Sequence, residues 1–366
     1  MIPIAKPMIG QEEIDAVVSI MKSGSLAQGP KVKEFEEKVA SFCGAKFGIA
    51  VNSGTAALHA SLNAAGIKAG DEVITTPFTF AASSNCIIMQ GARPILADIE
   101  EDTFNIDAKK IELAFTKKTK GIIPIDLYGQ AYDADAVADF AEQHGLHVVE
   151  DACQAIGASY RGRMCGTLGE LGTFSFYATK NIITAEGGMI MTDNADYAEL
   201  CRRFRHHGQS EKTRYEYHEL GYNYRMTDIA AAIGIAQLKH LSDWTEKRIR
   251  NAEFLTKRLS KLDGIMTPVT KSSRKHVYHQ YTIRIRNFRL SRDKVVETLR
   301  AKGVGCGIYY PKPLHMHPFY MSMGYKPGMF PNAELASKEV VSLPVHPSLS
   351  QEDLNAIVAA FEEMSS

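Results

Sequence analysis

Two short stretches decide the fold prediction: His147-Val148-Val149-Glu150-Asp151-Ala152-Cys153-Gln154 and Gly172-Thr173-Phe174-Ser175-Phe176-Tyr177-Ala178-Thr179-Lys180-Asn181. The first is an apolar run that ends in an aspartate, and the second is a strand-like run followed by a lysine in a short loop. Apolar runs of this kind are typical of strands in a sheet that is buried on both faces. A carboxylate at the C-terminal end of a parallel strand faces the crevice where α/β sheets bind ligands.

Similar strand-like runs recur through the first half of the chain, and helical stretches separate many of them. The runs are Phe47–Val51, Glu72–Thr76, Arg93–Ala97, Gly121–Asp126, Leu146–Glu150, Thr173–Phe176 and Met189–Thr192. This alternation predicts an α/β fold with a mostly parallel sheet and helices on both of its faces.

The pattern changes beyond about Thr227. A long helical stretch, Ile229–Leu259, leads into strand-like and helical segments that predict a smaller α+β unit. We therefore expect a large domain over residues 1–235, including the N-terminal segment, and a small C-terminal domain over residues 236–366.

The composition is that of a soluble globular protein. The 366 residues contain 42 Lys and Arg and 42 Asp and Glu, so the formal charge is zero, which argues against a nucleic-acid or anionic-membrane surface. The six cysteines form no C-x-x-C pair, no basic-then-apolar signal pattern begins the chain, and no stretch approaches the ~20 apolar residues of a membrane span. These features predict a cytoplasmic location.

Lys180 and Asp151 together suggest pyridoxal 5'-phosphate (PLP) chemistry. A lysine can bind the PLP aldehyde as a Schiff base, and an aspartate can keep the pyridine nitrogen protonated so that the ring accepts electrons. Taken singly, Lys180 is more simply a surface lysine, and Asp151 is equally well explained as the N-cap of a following helix. Their combination with a candidate phosphate loop favours the functional interpretation.

The candidate phosphate loop is Asn52-Ser53-Gly54-Thr55-Ala56, between a predicted strand and a predicted helix. Free N–H groups at a helix N-terminus attract an anion, Gly54 lets the backbone come close, and Thr55 adds a hydroxyl. Ser175 offers another hydroxyl. An ordinary capped turn has the same pattern, whereas a Walker loop and a G-x-G-x-x-G motif are both absent from the sequence.

Other side chains are weaker candidates. Phe80 lies in a loop after a strand and could stack on a planar ring, although a core phenylalanine is the commoner case. Gln154 could bond the ring hydroxyl of the cofactor from the first turn of a helix that starts after Asp151. His315 could reach a substrate or serve only its own loop. No histidine has a convincing partner at metal-ligand spacing, so we expect no metal.

Seven sequence motifs, taken together and in their order along the chain, resemble those of the DegT/DnrJ/EryC1/StrS family of PLP-dependent nucleotide-sugar aminotransferases. The resemblance extends over essentially the whole chain. The motifs are Ser23-Gly24 with Gly29-Pro30, Ser53-Gly54-Thr55-Ala56-Ala57-Leu58, Thr76-Pro77-Phe78-Thr79-Phe80, Glu150-Asp151-Ala152, Ser175-Phe176-Tyr177-Ala178-Thr179-Lys180-Asn181, Glu186-Gly187-Gly188 and Gly221-Tyr222-Asn223-Tyr224-Arg225-Met226.

The resemblance implies a fold-type I PLP-dependent transferase, with a seven-stranded sheet, and a homodimer whose active sites are shared between subunits. It implies that Lys180 forms the Schiff base and moves protons, while Asp151 bonds the pyridine nitrogen. It further implies that Phe80 stacks on the ring, Gln154 contacts the ring hydroxyl, and phosphate contacts come from Gly54, Thr55, Ser175 and, across the dimer, Asn223.

The implied reaction moves an amino group from glutamate, which leaves 2-oxoglutarate, to a keto group of a nucleotide-linked sugar for amino-sugar and surface-glycan biosynthesis. Carbon four is favoured over carbon three because the segment from Ser23 to Pro30 resembles carbon-four branches. Sugar contacts are expected near Leu26, in residues 205–217, and from Tyr310 to His315.

The sequence departs from the family pattern at two positions, and three alternative functions remain open. Ala185 replaces a glycine that is common in the family, and Tyr177 replaces a histidine. A related dehydratase branch has histidine in place of the lysine, so Lys180 favours transamination over deoxygenation. A PLP-dependent sugar dehydratase, a cyclitol aminotransferase and a non-catalytic PLP-binding regulatory protein are the alternatives.

Overall fold

The computed structural model describes residues 1–210, 213 and 215–365. Within that part of the chain, thirteen α-helices occur. They are α1 (Gln11–Ser23), α2 (Pro30–Cys43), α3 (Gly54–Ala64), α4 (Ala82–Met89), α5 (Ala108–Ala114), α6 (Ala134–His144), α7 (Ala195–Arg205), α8 (Asp228–Leu238), α9 (Leu241–Leu259), α10 (Arg292–Ala301), α11 (Pro318–Ser322), α12 (Pro331–Glu339) and α13 (Gln351–Ser365). Short 3-10 turns span Leu127–Gly129 and Leu314–Met316.

The same described residues contain thirteen strands. They are β1 (Phe47–Val51), β2 (Glu72–Thr75), β3 (Arg93–Leu96), β4 (Thr119–Ile122), β5 (His147–Asp151), β6 (Ser159–Tyr160), β7 (Arg163–Met164), β8 (Leu171–Ser175), β9 (Gly188–Thr192), β10 (Ile265–Met266), β11 (Arg274–Lys275), β12 (Tyr281–Ile285) and β13 (Val340–Leu343).

The large sheet has seven strands in the order β1-β9-β8-β5-β4-β2-β3. The pairs β2/β3, β2/β4, β4/β5 and β5/β8 are parallel, whereas β9 runs antiparallel to both β1 and β8. Only β9 therefore opposes the common direction, which confirms the predicted mostly parallel α/β sheet. Because parallel strands end at the same edge, the loops after β1, β2, β5 and β8 converge there.

Buried side chains cover both faces of this sheet. One cluster joins α2 and α8 to the sheet through Phe35, Phe174 and Ala231, and another packs α3 and α7 on the opposite face through Leu58 and Phe204. The loops that carry the candidate site residues are thus supported by a packed scaffold on both sides.

A smaller antiparallel sheet, β10-β12-β13, builds a separate core in the C-terminal part with α9, α10 and α13. Helix α9 connects the two cores: Leu241 and Trp244 belong to the large core, whereas Ala252 and Leu255 belong to the small one. The division into residues 1–235 and 236–366 stays a prediction, and the side chains of α9 change core between residues 244 and 252.

Three local predictions are wrong. The helix predicted over Ile229–Leu259 is two helices, α8 and α9, separated at Lys239 and His240. The strand predicted to reach Asp126 ends at Ile122, where Pro124 removes an N–H donor from the ladder. No helix starts after Asp151, because the chain turns from residue 153 to residue 157 before β6.

None of the described helices is both long enough and apolar enough to cross a lipid bilayer.

Candidate functional site

The loop after β1 brings the predicted phosphate-binding residues together. Ser53 caps α3 by accepting a hydrogen bond from the Ala56 N–H (3.1 Å), and Gly54 begins the helix. A Cβ atom on Gly54 would lie 2.9 Å from both Cys153 Sγ and Ser175 Cβ. Only glycine fits this approach, so the helix N-terminus and Ser175 at the end of β8 form one concave cradle for an anion.

Asp151 ends β5 and is buried, with 6% of its surface exposed. The Ser83 hydroxyl donates to its Oδ2 (2.6 Å), and the Cys153 N–H donates to its Oδ1 (3.2 Å). Since the chain turns after β5, Asp151 caps no helix, which removes the alternative explanation for this aspartate. These two hydrogen bonds fix the orientation of the carboxylate.

Lys180 lies in a tight turn after β8, where its N–H donates to the Tyr177 carbonyl (2.8 Å). Burial of the side chain lowers the pKa of the amine, and the nearby Cys153 and Asp151 oppose this shift through their charges. A lowered pKa increases the fraction of neutral amine, which is the nucleophilic form that attacks an aldehyde. Lys180 and Asp151 are therefore close enough to interact electrostatically.

Gln154 and Tyr310 meet beside Asp151. The Gln154 Oε1 accepts the Tyr128 N–H (2.8 Å), and its Nε2 points at the Tyr310 hydroxyl (3.4 Å). Burial raises the pKa of Tyr310, so its hydroxyl stays protonated and able to donate. The contact joins a residue that the resemblance assigns to the cofactor with one that it assigns to the substrate.

Phe80 and Leu26 are exposed apolar side chains in the single chain, with 62% and 42% of their surfaces accessible. Phe80 follows β2 on the loop that precedes α4, at the edge of the sheet where β5 and β8 also end. The Leu26 loop is anchored because Asp228 Oδ1 accepts the N–H groups of Gly29 and Val32, both at 2.9 Å. Stacking by Phe80 and sugar contact by Leu26 stay predictions.

Asn223 lies next to the phosphate loop of its own chain. The Asn52 N–H donates to the Tyr224 carbonyl (2.8 Å), and the Asn52 amide donates to the Asn223 carbonyl (3.4 Å). The Asn223 side chain itself is exposed, so it is accessible to a second subunit. Residues 211, 212 and 214 of the predicted sugar-contact region 205–217 lie outside the described residues.

His315 is not brought into the site. Its imidazole is fully buried, its Nε2 bonds Glu334 Oε1 (2.9 Å), and its ring packs edge-on against Phe330. A substrate could not touch this ring without displacing the cluster around it. The neighbouring Leu314 N–H donates to the Pro77 carbonyl (2.8 Å), so the segment supports the loop that carries Phe80.

The turn after Lys180 departs from the family pattern at Ala185, and the structure shows what this requires. Ala185 has φ of 70°, in the left-handed region that favours glycine, and the turn closes because the Thr184 hydroxyl donates to the Glu186 carbonyl (2.8 Å). A Cβ on Gly188 would lie 2.4 Å from the Ser53 carbonyl. The turn thus packs directly against the phosphate loop.

Sequence reasoning missed Ser83, Cys153 and His279. Ser83 is one of many serines, and its contact with Asp151 spans 68 positions of sequence, so no local signal marks it. Cys153 lies two residues after the motif aspartate, and this proximity in sequence could have indicated that it lies in the site. His279 is buried, and its pKa lies well below the ordinary value because of burial and, secondarily, the charges of Lys180 and Arg248.

Within the described part of the chain, one group of side chains has metal-ligand geometry: Asp126, Glu150 and Cys165, whose ligand atoms lie within 4.8 Å of one another. Both Glu150 carboxylate oxygens already accept backbone N–H groups, from Gly166 (2.6 Å) and Leu168 (2.8 Å). We assign no metal to this group.

The residues present fit PLP. The glycine-lined cradle suits a phosphate, the buried Asp151 suits a pyridine nitrogen, and the Lys180 amine with its lowered pKa suits an aldehyde. These three features occupy one edge of the sheet, where Gly54 approaches both Ser175 and Cys153.

Comparison with known proteins supports the same chemistry. The sequence model of the DegT/DnrJ/EryC1/StrS aminotransferase family matches residues 7–362. The chain is 44% identical to a "pleiotropic regulatory protein" of Geobacillus stearothermophilus over 347 residues, which are 94% of this chain and 92% of the relative. It is 38% identical to the GDP-perosamine synthase of Caulobacter vibrioides over 366 residues, with 99% and 98% of the two chains covered.

A solved structure agrees as closely. The PLP form of a putative sugar aminotransferase from Streptococcus pneumoniae superposes with a TM-score of 0.93 at 29% identity, and the match covers 100% of this chain and 97% of that one. The match extends over the whole chain, which confirms the fold-type I architecture. The chain belongs to the DegT/DnrJ/EryC1/StrS aminotransferase family and is a PLP-dependent aminotransferase.

Proposed function

We propose that the protein moves an amino group from glutamate to a keto group of a nucleotide-linked sugar, with carbon four favoured over carbon three. The observation that carries the proposal is the half-buried Lys180, whose pKa is lowered by burial, beside the buried carboxylate of Asp151. The sequence similarity to a GDP-perosamine synthase supports a nucleotide-linked sugar as the acceptor. The enzyme would act in the cytoplasm, and its amino-sugar product would serve surface-glycan biosynthesis.

When bound, PLP supplies an electron sink for the carbanion formed at the carbon that carries the amino group. Lys180 would act as general base and general acid: its neutral amine would accept the proton from the α-carbon of the amino acid and deliver it to C4′ of the cofactor. Asp151 accepts a hydrogen bond from the protonated ring nitrogen, while Ser83 and the Cys153 N–H keep its carboxylate in place. The N-terminus of α3 and Ser175 bind the phosphate.

The other predicted residues complete the site in this proposal. Phe80 stacks on the ring, Gln154 contacts the ring hydroxyl, Tyr310 donates to the sugar, and Leu26 contacts the sugar from the loop before α2. The partner subunit's Asn223 reaches the phosphate across a homodimer. The exposed Asn223 side chain and the exposed Phe80 ring support a second copy at this face.

The test is spectroscopic. The purified protein is expected to absorb visible light through the Schiff base at Lys180, and the band should bleach with glutamate and return with the correct keto sugar. Lys180→Ala should abolish both the bleaching and the return of the band, because without the lysine amine the imine cannot form and the proton cannot be transferred. A Lys180→Ala protein that still turns over would refute the role of Lys180.

Product analysis separates the remaining alternatives. An amine at the former carbonyl carbon of a nucleotide-linked sugar supports the proposal. Loss of a hydroxyl would indicate a sugar dehydratase, and amination of a free cyclitol ketone would indicate a cyclitol aminotransferase. A panel of uridine-, guanosine- and thymidine-linked keto sugars, tested for return of the visible band, identifies the acceptor.

A further inference from the structure

Two buried hydroxyls, those of Thr79 and Ser83, connect the Phe80 loop to Asp151. The Ser83 hydroxyl donates to Asp151 Oδ2 (2.6 Å), and the Thr79 hydroxyl lies 3.0 Å from the Ser83 hydroxyl. Thr79 and Ser83 are only 3% and 1% exposed, so water does not compete for either hydroxyl. Because β4 lies between β2 and β5 in the sheet, this hydroxyl pair joins the loop after β2 to the end of β5.

The direction of the two hydrogen bonds follows from the number of hydrogens available. A serine hydroxyl has one hydrogen, and an ionised carboxylate can only accept. Both oxygens of Asp151 accept hydrogen bonds, from the Ser83 hydroxyl and from the Cys153 N–H, and such bonds favour the ionised form of a carboxylate. The Ser83 hydrogen is therefore used on Asp151, and Thr79 is the donor in the contact with Ser83.

Thr79 does not serve as an ordinary helix cap. The N-cap residue of α4 is Ala81, and the Thr79 hydroxyl, two positions earlier, contacts the Ser83 hydroxyl in the first turn of the helix. The backbone that carries Thr79 is itself held in place, because the Pro77 carbonyl accepts the Leu314 N–H (2.8 Å). The threonine hydroxyl is thus directed at the serine that bonds the carboxylate.

We propose that Thr79 is a positioning residue that acts through Ser83 and Asp151 on the ring nitrogen of the cofactor. Aligned hydroxyls polarise one another, so donation by Thr79 strengthens the bond from Ser83 to Asp151 and stabilises the ionised carboxylate. An ionised Asp151 leaves the proton on the ring nitrogen, which an electron-accepting ring requires. This inference rests on the proposed role of Asp151 and extends it to the loop after β2.

A double-mutant cycle tests whether Thr79 acts through Ser83. Thr79→Val keeps the branched shape and removes the hydroxyl, so we expect the rate of bleaching by glutamate to fall about threefold to tenfold, as for the loss of one hydrogen bond. Thr79→Ser restores a hydroxyl and should recover most of the rate. In a Ser83→Ala background, Thr79→Val should cause no further loss, because the connection to Asp151 is already broken.

Nitrogen-15 NMR of labelled PLP bound to the enzyme observes the ring proton without turnover. Thr79→Val should move the ring-nitrogen signal toward that of an unprotonated pyridine, because a carboxylate that accepts a weaker hydrogen bond attracts the ring proton more strongly. Thr75→Val is the matched control, since the buried Thr75 hydroxyl on β2 donates to the Ile123 carbonyl (3.0 Å). This control should leave the nitrogen signal and the bleaching rate unchanged.

The nitrogen signal of Asp151→Asn separates this inference from the proposed role of Asp151. If that variant leaves the signal unchanged, the role of Asp151 fails and this inference fails with it. If Asp151→Asn moves the signal and Thr79→Val does not, only the role of Thr79 is refuted. The same conclusion follows if Thr79→Val slows bleaching by the same factor with and without Ser83, because Thr79 then acts by another route.

Neutron diffraction from crystals of the wild-type, PLP-loaded enzyme gives an answer even if the Thr79 variants misfold. One deuterium between Thr79 Oγ1 and Ser83 Oγ that belongs to Thr79, and another that Ser83 donates to Asp151 Oδ2, support the inference. A Ser83 hydroxyl that donates to Thr79 refutes it.

Discussion

At the scale of single residues, the reactivity of Lys180 depends on its surroundings. A solvated lysine is protonated at neutral pH, and here burial lowers the pKa of the amine while Asp151 and Cys153 oppose the shift. Among the described residues, Lys180 forms no ion pair that would favour the charged amine. Desolvation is therefore the physical cause of its nucleophilic character.

Asp151→Asn tests the charge of the ring partner. The carboxamide keeps one oxygen that can accept the Cys153 N–H, and its NH2 can donate to the Ser83 hydroxyl, but it cannot stabilise a protonated pyridine nitrogen. We expect transaminase activity to fall by roughly 10²-fold or more, with the visible band of bound PLP retained. Rates of bleaching by glutamate in a stopped-flow spectrometer measure the effect.

Ser83→Ala is the matched control for that variant. It removes the 2.6 Å hydrogen bond but keeps the carboxylate, so we expect a loss of only about tenfold, in line with one hydrogen bond to a charged group. Equal losses in the two variants would show that the position of Asp151, rather than its charge, limits the rate.

At the scale of elements, β5 is tied to the loop after β4 by two carboxyl groups. Asp126 and Glu150 are both completely buried, and burial raises the pKa of each. The effect is larger at Asp126, because Glu150 accepts two backbone N–H groups whereas Asp126 accepts only the Tyr132 N–H (3.0 Å). Asp126 is therefore the carboxyl group of this pair that is more readily protonated.

The stability of Asp126→Asn relative to the wild type should increase as the pH rises. The native state holds a proton on Asp126 that the unfolded chain releases above about pH 4, so increasing pH favours unfolding of the wild type by up to about 1.4 kcal/mol per pH unit until its raised pKa is reached. The asparagine amide donates without titrating. Urea unfolding of both proteins between pH 5 and pH 8 measures the difference.

Asp139→Asn is the control for this pH series, because Asp139 is exposed on α6 and should show no such trend. A stability difference between wild type and Asp126→Asn that is constant over the pH range would contradict a proton held by this pair.

At the scale of the whole molecule, the proposed dimer can be tested by mixing two inactive variants. Lys180→Ala lacks the reactive amine, and Asn223→Ala lacks the proposed phosphate contact. In a mixed dimer, one site combines Lys180 from one subunit with the partner subunit's Asn223. Random re-association of equal amounts should restore about a quarter of wild-type activity, since half of the dimers are mixed and each has one intact site.

The same mixture gives no recovery if Asn223 serves the site of its own chain. The hydrogen bond between Asn52 and the Asn223 carbonyl keeps the two residues adjacent within one subunit. The experiment therefore distinguishes a contact within one subunit from a contact across the dimer. Light scattering of the wild type fixes the oligomeric state before the activities are compared.

Errors in the sequence predictions have a common physical origin. The break between α8 and α9 falls at Lys239 and His240, where no glycine or proline marks a helix end. Helix α8 packs only in the large core, whereas α9 starts in that core and continues into the small one. His315 is polar and follows a loop, yet it is buried against Phe330 and Glu334. Both outcomes depend on neighbours that are remote in sequence.

The sequence by itself determined the alternation of strands and helices, the lysine after one strand and the aspartate at the end of another, because periodicity and chain position are local properties. Only the tertiary structure decided that Ser83 bonds Asp151 and that Gly54 meets Ser175. It also decided that Arg248 and Lys180 line one crevice. Those contacts arise when the sheet orders its strands and brings distant loops to one edge, so no local pattern contains them.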